Sequence, residues 1–95
     1  MILNYELLET KLTVSNELGL HARVATMMVQ AMQNYSSQVT LVKDGVEVDA
    51  RSVLGLLLLA ATPGCEITVR AYGPDSEQAI QEISRLIQNE EPEKG

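Results

Sequence analysis

The sequence holds one histidine, His21, inside the stretch Gly19-Leu20-His21-Ala22-Arg23. Imidazole titrates near neutrality, so a neutral, nucleophilic ring nitrogen is available at pH 7. Arg23 follows two residues later with a guanidinium whose geometry suits phosphate. A helical pattern begins at this point, and a helix start presents N–H groups without intrahelical acceptors, together with a partial positive charge. Gly19 allows close backbone approach with no side chain in the way. These residue types at this spacing can accept a phosphoryl group on a ring nitrogen and hold the charge it brings, roughly −1.5 to −2 by analogy with phosphate monoesters. The helix-end field contributes only about 0.3–1 kcal/mol, which suits transient holding better than storage. A histidine at a helix start also serves simply as a surface residue or a cap, so both readings stand at this point.

Little else in the chain points to a complete catalytic apparatus. There is no second histidine, no P-loop, and no nucleophile–base pair identifiable by spacing. Cys65 is the single cysteine, which removes an intrachain disulfide and a cysteine-based zinc site. The net charge of −6, from 13 acidic and 7 basic residues, argues against a nucleic-acid partner, because phosphate-backbone binding needs clustered Lys and Arg. The longest apolar run, Leu56 to Ala61, is far short of a membrane span, and the start of the chain lacks the basic region and long apolar run of a signal peptide. The expectation is a cytoplasmic domain with no metal, no cofactor, and neither a nucleic-acid nor a membrane partner.

The elements that must position His21 can be read from periodicity. Leu8, Leu12 and Val14 share one parity and Glu9, Lys11, Thr13 and Ser15 the other, as in a strand with one face buried. From Ala22 the spacing becomes helical, with a stripe of Ala22, Ala25, Val29 and Met32 ending near Asn34. Residues 38–43 and 46–50 read as strands joined at Asp44-Gly45, a pair suited to the positive φ values of a type I′ turn. Ser52 can cap a short, almost wholly apolar helix interrupted by Gly55, although a strand is possible there on composition alone. Its core candidates are Leu56 and Leu59. Met27, Met28 and Met32 read as helix packing or docking surface.

Cys65, Ile67, Val69 and Ala71 alternate with polar neighbours as a fourth strand, with Cys65 on the buried face. Asp75 can cap a last helix with Gln78 as its return donor, and Ala79, Ile80, Ile83, Leu86 and Ile87 form its stripe. The order β-α-β-β-α-β-α predicts an α/β two-layer open-faced sandwich. The expected organisation is an N-terminal extension at 1–7, one domain at 8–89 and an acidic tail at 90–95.

The motif 19–23, the hairpin and helix entry at 42–60, the Pro63-Gly64 turn and the entry to the last helix at 73–80 together resemble HPr. HPr is the histidine-containing phosphocarrier of the bacterial phosphoenolpyruvate-dependent sugar phosphotransferase system. The resemblance covers nearly the whole domain. It implies a four-stranded antiparallel sheet with three helices on one face. It implies that His21 is phosphorylated on its δ nitrogen by phosphorylated enzyme I and passes the group to EIIA components. Arg23 would then be the charge partner, with Gly19 and the N–H groups around Ala22 and Arg23 completing the cradle. Leu20, Val53, Leu54 and Leu57 match docking positions, and Ser52 matches a regulatory serine of many Gram-positive members, modified by a dedicated kinase/phosphorylase. Core burial is the plain alternative for the apolar residues, and helix capping the plain alternative for Ser52. The resemblance also implies a monomer.

One departure touches the motif: Val24 stands where the family usually has proline. Proline costs little in a first helical turn, so its absence frees one more N–H donor and loses a restraint worth about 0.4–1 kcal/mol. A second functional reading follows from the same resemblance. The chain would be a regulatory HPr paralogue, either a Ser52-phosphorylated module docking a transcriptional regulator or a nitrogen-branch phosphocarrier.

Overall fold

A computed structural model describes residues 5–15 and 17–88; the expected tail at 90–95 and most of the expected extension at 1–7 lie outside the described residues. The elements are β1 (Leu8–Thr13), α1 (Ala22–Met32), β2 (Gln38–Lys43), β3 (Val46–Asp49), α2 (Val53–Leu58), β4 (Glu66–Tyr72) and α3 (Ser76–Gln88). The four strands form one antiparallel sheet in the order β1-β4-β2-β3. The fold is the expected open-faced sandwich, with three helices over one face.

Alternation decides which face is covered. Ile67, Val69 and Ala71 of β4 and Val39 and Leu41 of β2 are buried, with the residues between them on the other side. The opposite face is polar: Arg70 reaches Glu9 Oε2 from Nε at 2.5 Å and lies 3.9 Å from Glu47 Oε2 through a second nitrogen. Such exposed pairs contribute little to stability, and they leave this face wet. Asp44 and Gly45 have φ of 52° and 80°, as the type I′ turn between β2 and β3 requires.

The helices close the core with Ala25, Met28 and Met32 from α1, Leu56 from α2, and Ala79, Ile83, Leu86 and Ile87 from α3. Leu59, just past α2, is also buried. Ala22 is not part of the buried stripe. It is the first helical residue and exposed, and Met28 extends the inward face instead. Cys65 precedes β4 and is half-buried rather than fully in the core, because the strand pairing begins at Glu66.

Asp75 also differs from its expected role. Its carbonyl does accept from Ala79 N at 3.0 Å, opening α3. Its carboxylate accepts from Ser36 N and Ser37 N, both at 2.9 Å, and from Ser37 Oγ at 2.6 Å. Asp75 N returns a bond to Ser37 Oγ at 3.1 Å. The residue thus ties the α1–β2 connection to the start of α3. Beside it, Tyr35 donates its hydroxyl to Glu82 Oε1 at 2.7 Å, a bond that raises the tyrosine pKa.

The Ser37 hydroxyl, followed by the Ser36 amide, holds the Asp75 carboxyl below its ordinary value. A depressed carboxylate stabilises the fold above the unfolded-state value, about 4, and loses that contribution as pH falls through the lower folded value. Asp75→Asn is therefore expected to have a lower urea midpoint than the wild type at pH 6. The gap should narrow as the pH is taken below about 4, where both chains present a neutral group. A gap that stays constant from pH 6 to pH 2 would contradict this role.

Candidate functional site

The turn from β1 to α1 is built on the 61–65 loop. Val14 N donates to Cys65 O at 2.9 Å, Gly64 N to Val14 O at 2.8 Å and Leu20 N to Ala61 O at 2.9 Å. Gly19 has φ of 69°, and a Cβ there would collide with the Ala61 carbonyl. The space left by its missing side chain is therefore taken up by the Ala61 backbone. Ala60, next to this contact, also adopts a left-handed conformation, at φ 53°.

This turn delivers His21 to the start of α1 with extended backbone, φ −99° and ψ 178°, as its N-cap. The His21 carbonyl accepts from Ala25 N at 2.9 Å, and its Nδ1 accepts from Arg23 N at 3.3 Å. A nitrogen that accepts carries a lone pair, so the neutral ring holds its proton on Nε2. The δ nitrogen thus faces the Arg23 amide in the first turn. No acidic residue stands in that turn to oppose an arriving anion. His21 is half-buried, whereas Ala22 and Arg23 are exposed.

Gly19, His21, Ala22 and Arg23 thus share one end of α1. Ser52 occupies a separate place, as the N-cap of α2, where its hydroxyl accepts from Gly55 N at 2.9 Å. Of the expected docking residues, Leu54 is 67% and Leu57 37% exposed, and Val53 is half-buried. Leu20 is not on that surface: it lies in the core at 5% exposure, drawn in by the Ala61 bond. Leu58, not expected there, is 70% exposed, and its i+4 spacing from Leu54 was the available signal. Among the described residues, no group of three or more His, Cys, Asp or Glu is placed to hold a metal ion.

Arg51 is the positioning residue that sequence reasoning missed. Its guanidinium donates to Met32 O and Tyr35 O, both at 2.7 Å, and to Ser37 O at 3.1 Å. These acceptors lie at and beyond the C-terminus of α1, where a cation is electrostatically favoured. Arg51 N in turn donates to Asp49 Oδ1 at 2.7 Å. Arg51 therefore fastens the helix that begins at His21 to the residue just before Ser52.

The chain is similar to known proteins over most of its length. Residues 8–89 match the family model described as PTS HPr component phosphorylation site. The phosphocarrier protein HPr of Xylella fastidiosa (strain Temecula1) is 47% identical over 83 residues, covering 87% of this chain and 93% of that protein. A solved HPr from Bacillus anthracis superposes with a TM-score of 0.83 at 32% identity, covering 86% of this chain and 98% of that one. The HPr-like protein Crh of Bacillus subtilis is 37% identical over 88% of this chain and 99% of its own length. A crystal structure of Crh, described as a dimer with a swapping domain, has a TM-score of 0.71 and covers 88% of this chain and 97% of that one. A family model matched over residues 8–89, and relatives so similar over nearly their whole length, leave one assignment: the chain belongs to the HPr family of phosphotransferase-system phosphocarriers.

Proposed function

We propose that the protein is a phosphoryl carrier which takes the group from phosphorylated enzyme I onto His21 Nδ1 and passes it to EIIA-type components in the cytoplasm. The supporting observation is the direction of the ring, with Nδ1 accepting from the Arg23 amide at the open end of α1. In the forward step the Nδ1 lone pair forms the N–P bond while the donor's bond to phosphorus breaks, its electron pair returning to the donor atom. Nε2 keeps its proton, so the ring becomes cationic beside a phosphoryl dianion. The phosphoryl oxygens then replace Nδ1 as acceptors for first-turn amides, with the Arg23 guanidinium close in sequence. Transfer onward reverses these changes at the next acceptor. The carrier is not itself an enzyme on this reading, since partners supply the remaining catalytic groups.

Leu54, Leu57 and Leu58 give those partners an apolar face on the short helix that packs against α1. The test is incubation with phosphoenolpyruvate and an active cognate enzyme I, followed by intact mass. One added phosphate, labile in acid and stable in base, is expected. Absence of uptake, with the same enzyme I charging another HPr, would defeat the reading.

The likeness to Crh favours a second reading, in which Ser52 is phosphorylated by an HPr kinase/phosphorylase and the protein docks a transcriptional regulator. A phosphate on Ser52 would set negative charge beside Val53 and Leu54 and repel an acidic partner. Modification of Ser52 with His21 inert would favour this reading. The swapped Crh dimer also shows that the expected monomer is not a state common to all relatives.

A further inference from the structure

The first turn of α1 carries one feature that the carrier reading does not use. Ala22, Arg23 and Val24 are its first three residues, and the amides of the second and third converge on the cap side chain in an ordinary helix start. Here the Arg23 amide is on His21 Nδ1. The Val24 amide has no acceptor among the described residues. The Val24 side chain is half-buried and packs against the core, which fixes the direction of its backbone. A proline at this position would offer no N–H at all.

We infer that the main-chain N–H of Val24 is a donor to the phosphoryl group on His21, so that this chain holds the group with one backbone hydrogen bond more than a proline there would permit. The inference rests on the carrier reading. Phosphorylation converts Nδ1 from a single acceptor into the attachment point for three oxygens, whose several lone pairs leave acceptor capacity beyond the Ala22 and Arg23 amides and the Arg23 guanidinium. A third-position amide lies within the reach of a cap substituent and donates to a dianion, a charge-assisted bond. Val24 contacts the phosphoryl group directly in this role, through its backbone and not through its side chain.

The consequence is thermodynamic. At equilibrium with phosphorylated enzyme I, Val24→Pro should hold the group less firmly than Val24→Ala by about tenfold or more, the effect of losing one charge-assisted bond. Both variants lose the valine side chain, and only the alanine keeps the N–H. A direct readout in the wild-type chain accompanies the exchange measurement. On phosphorylation, the Val24 amide proton should move downfield in a 15N-correlated NMR spectrum, together with that of Arg23. That spectrum decides the matter even if Val24→Pro fails to fold. A phosphorylated wild type whose Val24 amide stays in place overturns the inference and leaves the carrier intact, as does equal phosphate retention by the two variants. A wild type that takes no phosphate overturns the carrier reading, and this inference with it.

Discussion

His21→Ala is expected to take up no phosphate from phosphoenolpyruvate and enzyme I, while keeping its fold. The loss is complete because His21 is the only histidine in the sequence, so no second imidazole can substitute. The fold survives because the ring contributes only one cap bond of 3.3 Å, while the backbone bonds that build the turn do not involve the side chain. Removing a cap costs about 0.5–2 kcal/mol, and a bond this long belongs at the low end. For a domain of this size that is a fall of about 4–8 °C per kcal/mol in melting temperature. Intact mass after charging, paired with a thermal melt, reads both halves of the expectation. A variant that melts near the wild type and still gains phosphate would assign the acceptor to another residue.

Arg51→Ala is expected to cause the largest loss of stability among single changes near the site. Three backbone carbonyls would lose a charged donor at once, and all three bonds are partly buried. Hydrogen bonds to charged groups contribute about 1.5–3 kcal/mol each, and losses that share one side chain do not add, so about 2–4 kcal/mol is expected in total. Arg51→Lys restores the charge but not the planar fork that spans Met32, Tyr35 and Ser37, and should recover only part of the loss. Urea unfolding of the three chains measures this series. A loss below about 0.5 kcal/mol for Arg51→Ala would place it among ordinary surface changes and remove the proposed tie between α1 and the Ser52 loop.

What could be read from the sequence, and what could not, divides by the range of the interactions. The β4 alternation, the α3 stripe and the Asp44-Gly45 turn are local patterns, and the structure keeps each of them. The place of His21 at the start of α1 was legible for the same reason, since the cap residue and the first-turn amides lie within a few residues of one another. Arg51 left no such trace. Its partners are on a different element, and one arginine in a loop has no periodicity to betray it.

Asp75 was misread by the same limit. A carboxylate before a helix looks like a cap for its own helix, but the nearer donors come from Ser36 and Ser37 across the fold. Leu20 followed suit: its motif position suggested docking, and a backbone bond to Ala61 took it inside. Ala22 fitted a helical spacing that does not extend to the first residue of the helix.

The strand order has a consequence for how the protein is made. β1 is synthesised first, yet Leu8 pairs with Ala71, and the turn carrying His21 leans on Ala61. A chain that has yet to release residues 61–71 therefore lacks that support for the turn carrying His21. The pairing of β2 with β3 is short in range and can form early, whereas β1 must wait for β4 before it has a neighbour. The turn that presents His21 therefore reaches its final form only when residues 61–71 are in place to support it.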